Sequence, residues 1–146
     1  PLYTAAGRMV PMNLEISTDP NWLDVDTIHH FLSESAYWAI GRPREVVQRA
    51  IDNSLCFGAY AEGKQVGFAR VVTDYATFGW LADVFVLEAY RGRGVGKALV
   101  QAVQDHPDLR ALRLLLATRD AHGLYAQYGF EPVAPERYMQ RPKLAD

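Results

Sequence analysis

Between Trp80 and Ala117 the hydropathy pattern changes period twice, and this restricts the fold more than any other feature of the chain. Residues 80–87 read as an apolar strand. The turn Arg91-Gly92-Arg93-Gly94-Val95-Gly96 follows. Val95, Ala98, Leu99, Ala102 and Val103 then fall at i, i+3, i+4, i+7 and i+8, one face of a helix that His106-Pro107-Asp108 ends. Residues 112–117 are an almost continuous apolar run, as in a strand buried on both faces. Parallel strands need a crossover of this kind, because no tight turn can join them. The chain is therefore expected to carry a strand-helix-strand crossover.

Upstream, the pattern is that of an antiparallel meander preceded by two helices. Residues 13–17 read as a short strand, and Ser17-Thr18-Asp19-Pro20-Asn21 as a turn cluster. Asp24 can cap a helix running to about residue 33, with Val25, Ile28 and Leu32 on one face. A loop over 34–42 carries Tyr37, Trp38 and Arg42. Pro43 suits the first turn of a second helix reaching about residue 53, with Val46, Val47, Ala50 and Ile51 turned inward. Strands are expected over 55–61 and 65–74, joined by a hairpin at Glu62-Gly63-Lys64 and followed by a break at Thr77-Phe78-Gly79. Downstream, Asp120 can cap a last helix through Tyr128, and Gly129 suits the position just past its end. A closing strand pair is expected over 130–133 and 138–141.

Composition narrows the classes of function. The 146 residues suit one domain, and 49% hydrophobic content with a net charge of -2 argues against disorder. Fifteen basic against 17 acidic residues disfavour a dedicated nucleic-acid binder. The single cysteine, Cys56, can form neither an internal disulfide nor a cysteine-rich zinc site, and it reads as a small buried hydrophobe. A reducing, cytoplasmic setting is expected. No apolar run approaches the ~18 residues of a membrane helix. Residues 1–11 lack a signal-peptide pattern and are expected to be a tail, with residues 12–146 as the domain and Met12 as an alternative start. His29 and His30 are adjacent, so they do not share a helix face as paired metal ligands would.

The glycine-rich turn favours an anion. Glycines let backbone N–H groups approach a ligand, the helix start adds unpaired donors and partial positive charge, and Arg91 and Arg93 add forked donors. The P-loop pattern fails, because Arg91 stands where its first glycine belongs and Ala98 replaces its Ser/Thr. The dinucleotide pattern fails as well, ending on Lys97 or Leu99 instead of glycine. Neither metal nor nicotinamide is implied.

The pattern [QR]-x-x-G-x-[GA] does match, as Arg91, Gly94 and Gly96. Residues 83–96, Asp83-Val84-Phe85-Val86-Leu87-Glu88-Ala89-Tyr90-Arg91-Gly92-Arg93-Gly94-Val95-Gly96, resemble motif A of the GNAT superfamily of acetyl-CoA-dependent N-acetyltransferases. Leu124-Tyr125-Ala126-Gln127-Tyr128-Gly129-Phe130 is similar to that family's L-Y-x-x-x-G-F element. The resemblance spans roughly residues 13–141. It implies an α/β (α+β) GNAT fold: a mixed, mostly antiparallel sheet of six or seven strands with helices on both faces.

The resemblance also implies roles. Backbone N–H groups of Arg91, Gly92, Arg93, Gly94, Val95 and Gly96, with Lys97 close by, would hold the CoA pyrophosphate. The strand before the turn would part from its parallel neighbour, so that Val84, Phe85 and Val86 pair their backbone with the pantetheine arm. Tyr125 matches the tyrosine that faces the CoA sulfur as acid or hydrogen-bond donor; a packing aromatic is the other reading, and Tyr128 suits that role better. Asp83, an acid inside an apolar strand, has three readings: acceptor contact, base acting through water, or partner of a nearby cation. Thr118 stands where many members have an asparagine contacting the pantetheine, and Asp120 is a candidate substitute. Tyr37, Trp38 and Arg42 would lie over the acceptor, as a lid or as packing on the sheet edge; His122 is a further candidate for the site lining. The implied activity is acetyl transfer from acetyl-CoA to a small-molecule amine by direct attack in a ternary complex. The alternatives are an inactive acyl-CoA-binding sensor or interaction module, and an enzyme acting on a protein or aminoacyl-tRNA amine. No nucleic acid or membrane partner is expected, and a homodimer is consistent with the family.

Overall fold

The computed structural model describes residues 2–3, 9–10 and 13–145. Most of the expected N-terminal tail, together with Met12 and Asp146, lies outside the described residues. Leu2–Tyr3 (β1) pairs antiparallel with Met9–Val10 (β2) in a small separate ladder.

Among the described residues the main sheet has five strands: Leu14–Ser17 (β3), Leu55–Ala61 (β4), Lys64–Thr73 (β5), Phe78–Val86 (β6) and Arg113–Leu115 (β7), in that spatial order. The first four are antiparallel, and β7 lies parallel to β6. The β4–β5 hairpin turns on Glu62 and Gly63, both at positive φ, as the favoured two-residue hairpin turn requires. Helices Val25–Glu34 (α1) and Arg44–Asp52 (α2) cover one face. Val95–Asp105 (α3) covers the other and provides the expected crossover from β6 to β7. The short His122–Ala126 (α4) follows.

Helices α1 and α3 bury the stripes their spacing prescribes, and α2 buries Val47 and Ile51 of its own. Asp24 caps α1, its Oδ1 accepting from the Thr27 amide at 3.1 Å. Ile28 and Leu32 of α1 meet Val47 and Ile51 of α2, Cys56, Phe68 and Phe85. On the far face Val95, Leu99, Val100 and Val103 of α3 pack on Phe57, Ala59, Val71 and Leu81. Leu99 is fully buried, so truncation to alanine there would cost about 2–5 kcal/mol.

The structure corrects several expectations. The strand expected from Trp80 begins at Phe78, because the Asp74 carboxylate gathers the Ala76 and Thr77 amides and moves the break upstream. Val46 is exposed, one position off the buried stripe of α2. The run 112–117 gives only three residues of strand, none fully buried. The expected closing strands do not form: residues 130–133 are irregular and Pro135–Arg137 is a 3-10 turn. Pro132 and Pro135 lack the N–H groups that a ladder needs. Among the described residues the sheet therefore has five strands instead of six or seven, within the expected mixed α/β class.

Candidate active site

The site begins where β6 and β7 separate. They pair at Phe78↔Arg113, Gly79↔Leu114 and Trp80↔Leu115, and there the pairing ends, although β6 runs on to Val86. The edge of residues 81–86 that faces away from β5 thus pairs with no strand among the described residues. Unpaired backbone donors and acceptors along such an edge suit an extended, amide-bearing ligand. A cleft of about 650 Å³ opens there, lined by Val84, Leu116–Thr118 on the β7 side, and Tyr125.

A bulge in β6 shapes the cleft wall. Phe68 faces Phe85 and Arg70 faces Ala82, so β6 carries one residue more than β5 between these pairs. Asp83 in that stretch has φ +54, in the left-handed region, where a short polar side chain is better tolerated than a branched one. The extra residue inverts the alternation. Leu81 faces the α3 core; beyond the bulge Val84 and Val86 do so, while Phe85 joins the α1–α2 side. Trp80 and Asp83 consequently line the same cleft.

Asp83 is the hub of a buried polar cluster. Its Oδ1 accepts from Trp38 Nε1 at 2.8 Å. Its Oδ2 accepts from Arg42 Nη1 and from Arg70 Nε, each at 2.9 Å. Arg70 Nη2 lies 2.9 Å from the same oxygen, and Nη1 donates to Ser54 Oγ at 3.1 Å. The pairing with cations, one of the three readings for Asp83, is present. Tyr37, Trp38 and Arg42 all line the cleft, with Tyr37 and Trp38 edge-on at 5.1 Å between ring centres. The Arg119 guanidinium lies 3.9 Å from the Tyr37 ring centre.

At the far end of β6 the glycine-rich turn closes onto α3. Gly92 and Gly94 have φ +75 and +82, and Gly94 is the N-cap of α3 with no side-chain cap. The first amides of the helix therefore keep their donors for a ligand. Gly96 is different: its φ is not positive, and an added Cβ would meet only Val86 Cγ2 at 3.8 Å. The fold does not require glycine there, whereas a ligand lying against the first turn would. Arg93 Nη1 is buried with no hydrogen-bond partner among the described residues, an orphaned donor beside the same turn. Arg91 is partly committed, its Nε donating to the Val86 carbonyl at 3.2 Å. Lys97 is exposed, and its carbonyl accepts from the Tyr128 hydroxyl at 3.1 Å.

Tyr125 is buried and lines the same cleft, its ring edge-on to Phe130 at 5.7 Å. Burial raises its phenol above the ordinary tyrosine range, which keeps it protonated at neutral pH. None of the hydrogen bonds among the described residues uses its hydroxyl. Asp120 lines the cleft but does not cap α4: Thr118 Oγ1 accepts from the Ala121 amide at 3.0 Å, and Asp120 lies 3.6 Å from Arg119 Nη2. His122 is exposed and borders a neighbouring hollow. Burial pushes the Cys56 thiol up to about 12, in line with a buried hydrophobe. Among the described residues no group of three His, Cys, Asp or Glu side chains is placed to hold a metal ion, and no helix is long and apolar enough to cross a membrane.

Of the charged and aromatic residues that line the cleft, Arg70, Trp80 and Arg119 escape the sequence reading. Arg70 had a signal, a lone cation in an apolar strand that matches the lone acid Asp83 in the next.

Residues 52–132 match the Acetyltransferase (GNAT) domain family. A crystal structure from Xanthomonas campestris pv. campestris, of a GNAT-family protein provisionally named an acetyltransferase, is 56% identical. It covers 88% of this chain and 92% of its own, with a TM-score of 0.86. A Gibberella zeae protein, also provisionally named an acetyltransferase, is 35% identical over 77% of this chain and 75% of its own. A Clostridium acetobutylicum protein solved with acetyl-CoA is 13% identical, covers 90% of this chain and 96% of its own, and shares the fold with a TM-score of 0.65.

Proposed function

The chain belongs to the GNAT acetyltransferase family, and from that premise we propose that it moves an acetyl group from acetyl-CoA to the primary amine of a small molecule, by direct attack in a ternary complex. Acetyl-CoA would supply the acetyl group as a thioester. The observation that carries the reading is the parting of β6 from β7 after Trp80, which leaves a free backbone edge between the uncapped start of α3 and the uncommitted hydroxyl of Tyr125.

Backbone N–H groups of residues 91–96 and the first turn of α3 would hold the pyrophosphate, with Arg93 and Lys97 adding charge. The edge at Val84, Phe85 and Val86 would pair with the amides of the pantetheine arm, and an N–H near Phe85 would polarise the thioester carbonyl. Tyr125 would donate to the sulfur as negative charge develops on it. Full proton transfer from a phenol near 10 to a thiolate of pKa near 8.5 is uphill by roughly 2 kcal/mol. Burial of Tyr125 widens that gap, so a strengthening hydrogen bond describes its role.

Tyr37, Trp38 and Arg42 would border the acceptor. Asp83, with both oxygens engaged by Trp38, Arg42 and Arg70, supports a positioning role: it fixes the loop after α1 against the cleft. An alkylamine of pKa near 10.4 needs roughly 4–5 kcal/mol to become neutral at pH 7, so amine deprotonation limits the pH range of activity.

The test is release of free CoA thiol from acetyl-CoA in the presence of a panel of amines, amino acids, amino sugars and peptides. Amine-dependent thiol release from small molecules supports the reading. Release only with peptides or aminoacyl-tRNA moves the acceptor to a macromolecule. Tight CoA binding without release by any amine identifies a binding module.

A further inference from the structure

The charges at the floor of the cleft do not balance. One carboxylate, Asp83, faces two guanidiniums, Arg42 and Arg70, and its remaining partner, Trp38, is neutral. The Asp83 side chain is 3% exposed, that of Arg70 14% and that of Arg42 23%. Arg119 and Asp120 at the rim offset each other at 3.6 Å, leaving the floor with one positive charge in excess.

The two guanidiniums differ in how fully they are engaged. Arg70 directs Nε and Nη2 at Asp83 and Nη1 at Ser54. Arg42 engages Nη1 alone; among the described residues its Nε and Nη2 have no protein partner. It also lines the cleft together with Tyr37, Trp38 and Trp80, whose rings are all partly exposed. Two vacant donors of one planar fork, at a partly dehydrated site with surplus positive charge, match a carboxylate or phosphate. The aromatic rings around them match an apolar body.

Resting on the acetyl-transfer reading, we propose that the acceptor amine carries an anionic group, which docks on Arg42 while an apolar body lies against Tyr37, Trp38 and Trp80. Asp83 then serves the specificity of the site: it holds Arg42 in place with one N–H and leaves the rest of the fork for the substrate. An amine without an acid group would leave the excess charge unpaired, and would bring its own ammonium toward it.

The experiment uses pairs that differ only in the acid. Initial rates of thiol release compare phenylalanine with phenethylamine and O-phosphoethanolamine with ethanolamine. In parallel, calorimetry of the CoA-saturated protein compares 3-phenylpropionate with 3-phenyl-1-propanol, which reads the anion site without any turnover. The acidic member should be preferred by about tenfold or more in kcat/KM or in affinity, as expected for charge-assisted hydrogen bonds. The carboxylate and phosphate pairs identify which anion the fork takes. Arg42→Gln should collapse the preference. Equal rates and equal affinities within every pair for the wild-type protein overturn the proposal, whatever the variant does. If no amine turns over while 3-phenylpropionate still binds better than the alcohol, the anion site stands and the acetyl-transfer reading fails.

Discussion

Arg42 Nη1 lies 2.9 Å from Asp83 Oδ2, across 41 positions of sequence, and this contact ties the loop after α1 to the bulge in β6. Arg70 reaches the same oxygen from the neighbouring strand. The wall of the cleft is thus held by one carboxylate at a left-handed backbone position.

Asp83→Asn keeps a residue that tolerates the left-handed backbone but removes the charge. Two partly buried guanidiniums would lose their counter-ion, at a cost on the order of 3 kcal/mol. In a domain of this size that corresponds to a melting temperature lower by roughly 6–12 °C. Arg42→Gln should cost less, because the Arg70–Asp83 pair survives it. A melting temperature unchanged in Asp83→Asn would show that the cluster contributes nothing to stability.

Alkali should weaken the fold. Burial pushes the Cys56 thiol and the Tyr60 phenol up to about 12 each, and raises Tyr125 as well. All three hold their protons more tightly in the folded protein than in the unfolded chain. The unfolded chain therefore ionises first, near pH 8.5 for the thiol and near pH 10 for the phenols. The stability they contribute is complete below about pH 8.5 and is lost as pH rises toward the folded values. Urea midpoints measured between about pH 7.5 and 11 should fall steadily above the first value, and in Cys56→Ala the fall should begin later, near the phenol range. A midpoint that is flat or rising over this interval contradicts the burial of these groups.

The turn offers a substitution that separates fold from ligand. At Gly96, which is helical and has room for a Cβ, alanine should leave the fold as stable or stabilise it by up to about 1 kcal/mol. The same methyl group would stand in the space assigned to the pyrophosphate, so CoA affinity should drop by at least about tenfold. Gly94→Ala is no substitute, since φ +82 strains any side chain there. Unchanged CoA affinity in a well-folded Gly96→Ala protein would remove the turn from the binding site.

Tyr125→Phe keeps the ring that packs on Phe130 and deletes only the hydroxyl. CoA affinity and KM should barely change, while kcat should fall by roughly ten- to a thousandfold, the low end applying if water replaces the donor. An unaltered kcat under conditions where chemistry is rate-limiting would take Tyr125 out of the reaction.

The crossover, the hairpin and the Asp24 cap were legible in the sequence because each rests on local chemistry: a helical stripe, a two-residue turn, a carboxylate before a helix. Asp83 was legible as an anomaly, an acid among apolar neighbours. The bulge beneath it was not, since no glycine or proline marks it and a single inserted residue shows only in the register with β5. Without the bulge, Trp80 and Asp83 alternate to opposite faces, which is why Trp80 did not join the site. The expected closing strands run against a signal present in the sequence, the prolines at 132 and 135. Asp120 does not cap α4, whose N-cap is Ala121 with no side-chain cap; the chain bends after β7, and the Thr118 hydroxyl instead accepts from the Ala121 amide.

Calorimetric titration of the wild-type protein with acetyl-CoA, without added metal, tests most directly whether the free edge of β6 and the start of α3 form an acetyl-CoA site. Saturable binding is expected. At a ligand concentration 100 times Kd it should stabilise the fold by about 2.7 kcal/mol, which is a rise in melting temperature of roughly 5–11 °C. No heat of binding and no thermal shift with acetyl-CoA, in a preparation that binds a nucleoside triphosphate with magnesium, would contradict it.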